Sequence, residues 1–130
     1  MTLSAVYNLF KSHKDGSWVM IWDNVQHLYN FVKENDVHRV LDLGTGIGCS
    51  AAVISLAFRY KGEIDYEIHT VEQYQKCYGL SQTIIPEELK AKTKFYLSDA
   101  DVWHTDLIPY QHFSVYQKLP DGDFDFVLVD

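Results

Sequence analysis

The chain has 130 residues, 47% hydrophobic and 22% charged, a balance that predicts folded structure and excludes a disordered segment. With 11 Lys and Arg against 18 Asp and Glu, the formal net charge is -7, which removes the basic footprint of a protein that grips nucleic-acid backbones. No apolar run is long enough to span a bilayer and no basic start leads into a secretory segment, so a cytoplasmic location without membrane contact is expected.

Leu3, Val6, Tyr7 and Phe10 repeat at helical spacing, Thr2 or Ser4 can cap the start, and "SHKDGS" breaks the pattern. The period returns from about Val19 to Glu34, with Ile21, Val25, Leu28 and Val32 on one face, and the two stretches predict an N-terminal helical segment over residues 1–37. "HRVLDLG" is short, apolar and closed by glycine, the pattern of a strand buried on both faces. Behind it, Ile47, Ala51, Ile54 and Phe58 share the face of a helix that ends near Gly62. "DYEIHTVE" reads as a second strand, Tyr74 to Gln82 as a weakly patterned helix, and Pro86 with Glu87 and Glu88 as a short helical turn.

"KTKFYLSDA" predicts a third strand. Residues 100–120 match neither period and are read as an aromatic-rich helix or loop, after which Asp121-Gly122 turns the chain into a fourth strand, "FDFVLVD". Strands alternating with helices predict an α/β domain with a parallel sheet over residues 38–130.

The stretch "VLDLGTGIGCS" sets Gly44, Gly46 and Gly48 where a strand gives way to a helix. Exposed N–H groups and the positive end of a helix dipole suit a nucleotide-like ligand there, and glycine lets that ligand come close to the main chain. The spacing G-x-G-x-G, followed by Cys49, departs from the dinucleotide fingerprint, and the lysine of a triphosphate-binding loop is missing. Asp42, Gly44, Gly46 and Gly48 form acid-x-G-x-G-x-G, and in this the chain resembles the class I S-adenosylmethionine-dependent methyltransferases.

That resemblance runs from about residue 38 to residue 130. It implies a Rossmann-like, doubly wound parallel sheet with strands ordered 3-2-1-4, the later strands of the fold being missing from this chain. It also implies S-adenosylmethionine as methyl donor, with Glu72 on the ribose hydroxyls, Asp99 on the adenine amino group and Asp130 as the catalytic group at the end of the fourth strand. Every one of these acids falls at the carboxyl end of a predicted strand, where open α/β sheets bind ligands.

Other residues carry two readings each. Asp42 contacts the donor or braces the loop; Ser50 meets a ligand carboxylate at the helix N-terminus or satisfies a backbone group. Trp103 covers the adenine or packs in the core, with His104 beside it. The six histidines show no pairing at metal-ligand spacing, so no metal is expected, and Cys49 and Cys77 read as free thiols.

The expected reaction is transfer of the sulfonium methyl to an unidentified nucleophilic acceptor, in the chain at its full length if 130 residues are a fragment. The alternatives are an aminopropyltransferase of the spermidine-synthase type and a non-catalytic donor-binding module. A sheet that stops after the fourth strand exposes an apolar edge, which invites a homodimer through that edge.

Overall fold

The Thr2 hydroxyl accepts the Ala5 N–H at 3.2 Å and starts α1 (Leu3–Lys11), whose Val6 and Phe10 are fully buried. The computed structural model describes residues 1–104 and 112–129, with backbone alone for 102–104 and 112–114. A single 3₁₀ turn (Gly16–Trp18) follows, and α2 (Trp22–Glu34) begins three residues later than the hydrophobic period suggests. The β-branched Val19 and Ile21 take extended backbone instead (ψ 138° and 157°), and Val19 and Met20 pack against the core in that form.

Four strands form one parallel sheet: β1 (Arg39–Leu43), β2 (Glu67–Glu72), β3 (Thr93–Leu97) and β6 (Phe126–Val129), in the order β3-β2-β1-β6. This is the expected 3-2-1-4 order, with β6 as the fourth strand of the sheet. The register sets Asp42 opposite Thr70 on one side and Leu128 on the other, and Glu72 opposite Leu97.

The expectation of a helix or loop over residues 100–120 is corrected at two stretches, and its part over 105–111 lies outside the described residues. Ala100–His104 (β4) and His112–Tyr116 (β5) pair antiparallel, Asp101 opposite Val115 and Trp103 opposite Phe113. Both runs are rich in β-branched and aromatic residues, but each is too short to show a period alone and is fixed by its partner across the hairpin. The fourth strand is also shorter than "FDFVLVD", because Asp125 bends out of it: its carboxylate accepts the N–H groups of His38 and Arg39, both at 2.9 Å. Arg39 in turn donates to the carbonyls of Asp121 and Asp123, at 2.9 and 3.0 Å, which holds this approach against the start of β1.

Between β1 and β2 lies α3 (Cys49–Tyr60), and every residue from Cys49 to Phe58 is buried. The sequence shows a single apolar face; the structure covers the helix all round, with α1, α2 and α5 (Glu87–Lys90) against it as well as the sheet. Val40, Ile68, Phe95 and Phe126 project from the sheet into this core, and Phe58 stacks on Tyr66 with ring centres 4.2 Å apart. A fully buried side chain such as Val40, Ile68 or Phe58 contributes about 1.5–3 kcal/mol by leaving water, and the half-buried Phe95 and Phe126 contribute less. The remaining helix, α4 (Gln75–Ile84), stops at Ile85, whose extended backbone is what the following Pro86 requires. Among the described residues no helix is long and apolar enough to cross a membrane.

Candidate functional site

The turn from β1 into α3 passes through Gly44, Gly46 and Gly48 at φ 97°, 54° and 108°. Its first two N–H groups, of Gly44 and Thr45, continue the ladder onto the Val71 carbonyl at 2.9 and 3.2 Å, and the Gly48 N–H closes the turn on the Thr45 carbonyl at 3.0 Å. Two of the glycines answer different needs. A Cβ on Gly48 would lie 2.7 Å from Ile85 Cδ1, so this glycine lets the end of α4 pack on the loop. A Cβ on Gly46 would meet nothing within 4 Å, so this glycine leaves one face of the loop open.

Glu72, at the end of β2, is buried with its carboxylate on three backbone donors. Oε1 accepts the Gly46 N–H at 2.8 Å; Oε2 accepts the N–H groups of Gln73 and Tyr74 at 3.0 and 2.9 Å. Asp42 is fully buried beneath the loop, and its Oδ2 accepts the hydroxyls of Ser50 and Thr70, each at 2.8 Å. Since the Thr70 proton goes to Asp42, the Thr45 hydroxyl donates to Thr70 and completes a chain of hydroxyls under the turn. Asp42 therefore braces the loop from below, and the hydroxyl of Ser50 is directed to it.

Asp99 is exposed two residues past β3, and its carbonyl accepts the Ser98 hydroxyl at 3.0 Å and the Gln117 N–H at 2.8 Å. The Ser98 N–H reaches the Glu72 carbonyl at 2.9 Å, which fixes the exit of β3 beside the exit of β2. Trp103 has its backbone in β4, and its side chain lies outside the described residues, as does Asp130 entirely.

A cavity of about 230 Å³ opens between the glycine loop, the N-terminus of α3, the start of α4 and residues 14–20. Gly46, Ser50, Cys49 and Cys77 are on its wall; Asp42, Glu72 and Asp99 are not. Sequence reasoning assigned no part of the site to the segment before residue 38, yet Lys14, Asp15 and Trp18 line it. The available signal was the charged stretch "HKDG" between two amphipathic helices. Asp15 Oδ1 pairs with Lys76 Nζ at 3.0 Å, and that hydrogen bond holds the Asp15 carboxyl below the usual carboxylate range. Burial, with the nearby charges of Glu72 and Asp15, pushes the Cys77 thiol up.

A glycine turn over a buried acid, with a second acid at the next strand end and a cavity at the helix N-terminus, is an arrangement that suits a nucleotide-type ligand in an open α/β sheet. Solved structures with this fold include the O-methyltransferase TomG from Streptomyces achromogenes, involved in tomaymycin synthesis and determined with S-adenosylmethionine; it is 14% identical, with a TM-score of 0.57 over 73% of this chain and 41% of its own. An O-methyltransferase from Bacillus cereus with S-adenosylhomocysteine is 16% identical, with a TM-score of 0.56 over 72% of this chain and 41% of its own. The Podospora anserina methyltransferase PaMTH1, also bound to S-adenosylhomocysteine, is 18% identical, with a TM-score of 0.55 over 72% and 39%. This chain thus spans about two-fifths of the length of these structures, and at such identities the likeness is one of fold. No curated protein matches the chain. Residues 19–120, more than three-quarters of it, match the model of one family, and the chain belongs to that family: protein-L-isoaspartate(D-aspartate) O-methyltransferase.

Proposed function

We propose that this chain forms the donor-binding part of an S-adenosylmethionine-dependent methyltransferase whose acceptor atom is an oxygen. The observation that carries the reading is the open face of Gly46, hydrogen-bonded from behind by Glu72, at the carboxyl end of two adjacent parallel strands. The family's O-methyltransferase description and the donor or its demethylated product in the structural relatives support the same assignment.

The residues present fit such a donor. Gly46 gives a ligand unobstructed access to the main chain, and Glu72 Oε1, with one N–H on it, retains a lone pair for a ribose hydroxyl. Asp99, exposed at the exit of β3, is the candidate acceptor for the adenine amino group, and Trp103, four residues on, the candidate cover for the ring. When bound, the donor supplies an electrophilic methyl on sulfonium sulfur, which keeps the bonding pair as the acceptor oxygen takes the methyl. The chain's own contribution is alignment and exclusion of water, with Asp130, next after β6 in sequence, as the candidate base for the acceptor's proton. Asp42 and Ser50 act on the donor through the loop that they hold.

Calorimetric titration of the chain tests this reading. Saturable binding of S-adenosylmethionine, with no binding of nicotinamide adenine dinucleotide, is expected. A folded chain that binds neither, or that prefers the dinucleotide, contradicts it.

A further inference from the structure

Asp15 and Lys76 line the cavity, yet nothing in the function above uses them. We infer that this pair determines donor specificity, with Asp15 taking the ammonium and Lys76 the carboxylate of the donor's amino-acid end. The inference rests on the donor reading and adds to it the part of the donor that residues 14–20 and α4 recognise.

The first observation is a buried acceptor. Asp15 Oδ1 is held by Lys76, but Asp15 Oδ2 is buried with no hydrogen-bond partner among the described residues. His13 Nδ1 lies 3.7 Å from it and cannot donate, because that nitrogen accepts the Asp15 N–H at 3.1 Å. A carboxylate with one buried oxygen lacking a donor is under-compensated, and Oδ1, with Lys76 on it, retains a lone pair for a cation that enters the cavity.

The second is the electropositive side of the same cavity. Lys76 has three N–H donors, of which Asp15 takes one, and Lys14 adds another cation to the wall. Cys49 and Ser50, the first two residues of the twelve-residue α3, place the positive end of that helix there too. The Ser50 hydroxyl is directed to Asp42, so a carboxylate in this cavity is left to Lys76 and the helix end. An ammonium and a carboxylate on one carbon match a carboxylate and an ammonium already 3.0 Å apart. At about 230 Å³ the cavity is smaller than the roughly 300–1,000 Å³ of a complete small-molecule site, which suits one end of a ligand whose nucleoside lies over the strand ends.

The test compares three adenosyl ligands, each with itself across variants. S-adenosylmethionine carries both charges, its decarboxylated form the ammonium alone, and 5′-methylthioadenosine neither. Lys76→Met is expected to weaken S-adenosylmethionine about tenfold and to leave the other two within about twofold. Asp15→Asn is expected to weaken S-adenosylmethionine and its decarboxylated form about tenfold and to leave 5′-methylthioadenosine unchanged. Equal losses on all three ligands, or none on any, overturn the inference, the former because the pair then only props the cavity. If 5′-methylthioadenosine binds wild type but the variants do not discriminate, this inference alone fails; if no adenosyl ligand binds wild type, the donor reading fails with it.

Discussion

Glu72 Oε1 accepts the Gly46 N–H at 2.8 Å, so the acid that ends β2 holds the middle glycine of the loop that leaves β1. With Gln73 and Tyr74 on its other oxygen, the carboxylate fixes both rims of the crevice between these strands before any ligand arrives. Charge-assisted bonds of this kind are individually strong, and a preformed site avoids the ordering cost of binding.

Glu72→Ala removes the acceptor of three backbone donors. Stability is expected to fall by about 1–3 kcal/mol in urea denaturation. Donor affinity is expected to fall about tenfold or more in titration, since the loop loses its anchor and the ribose the acceptor proposed for it. Unchanged affinity would remove Glu72 from the site.

Gly48→Ala acts on folding instead. At φ 108° a side chain is strained, and its Cβ would press on Ile85 Cδ1 at 2.7 Å. A loss of about 1–3 kcal/mol is expected from strain and overpacking together. Thermal or urea unfolding measures it, and wild-type stability in the variant would contradict the packing described for α4.

These contrasts show what could be read from the chain alone. The glycine loop and the strands around it were legible because their signals are local: short apolar runs, a G-x-G-x-G turn, acids at strand ends. Which of the two readings of Asp42 holds was not, because Thr70 meets it only through the β1–β2 register and Ser50 only through the first turn of α3. The β4–β5 hairpin was missed for the same reason, since its two short runs are defined by each other. Asp15 and Lys76 stand on separate elements, and only the docking of residues 14–20 beside α4 brings them to one cavity.

Acid stability should depend on Glu67. Its carboxylate accepts from His69 Nε2 at 2.8 Å and Arg39 Nε at 3.1 Å, and these bonds, His69 first, hold its pKa at about 2 against an ordinary value of 4.5. A carboxyl depressed on folding contributes stability that is complete above its unfolded value and is lost as pH falls toward its folded one. Stability is therefore expected to decline between about pH 5 and pH 2, with a shallower decline in Glu67→Gln. Equal slopes for the two proteins in urea melts across that range would contradict the pairing.

Cys77 offers a reporter of the cavity. Its thiol lines the wall and is pushed above its ordinary pKa by burial, so alkylation by iodoacetamide near neutral pH is expected to be slow and to quicken as pH rises. Saturating S-adenosylhomocysteine is expected to slow it further. Mass spectrometry of the alkylated peptide measures both effects, and labelling indifferent to the ligand would separate the cavity from the donor.

The most direct measurement is the dissociation constant of S-adenosylhomocysteine for wild type and Gly46→Ala, taken with a urea melt of each. A methyl at Gly46 meets nothing within 4 Å in the protein, and φ 54° lies in the left-handed region that an L-residue enters at a cost of about 1–2 kcal/mol. If the donor lies against this face, the variant stays folded with a loss no larger than that cost, while binding weakens at least tenfold. A folded Gly46→Ala protein that binds S-adenosylhomocysteine as wild type does would place the donor elsewhere.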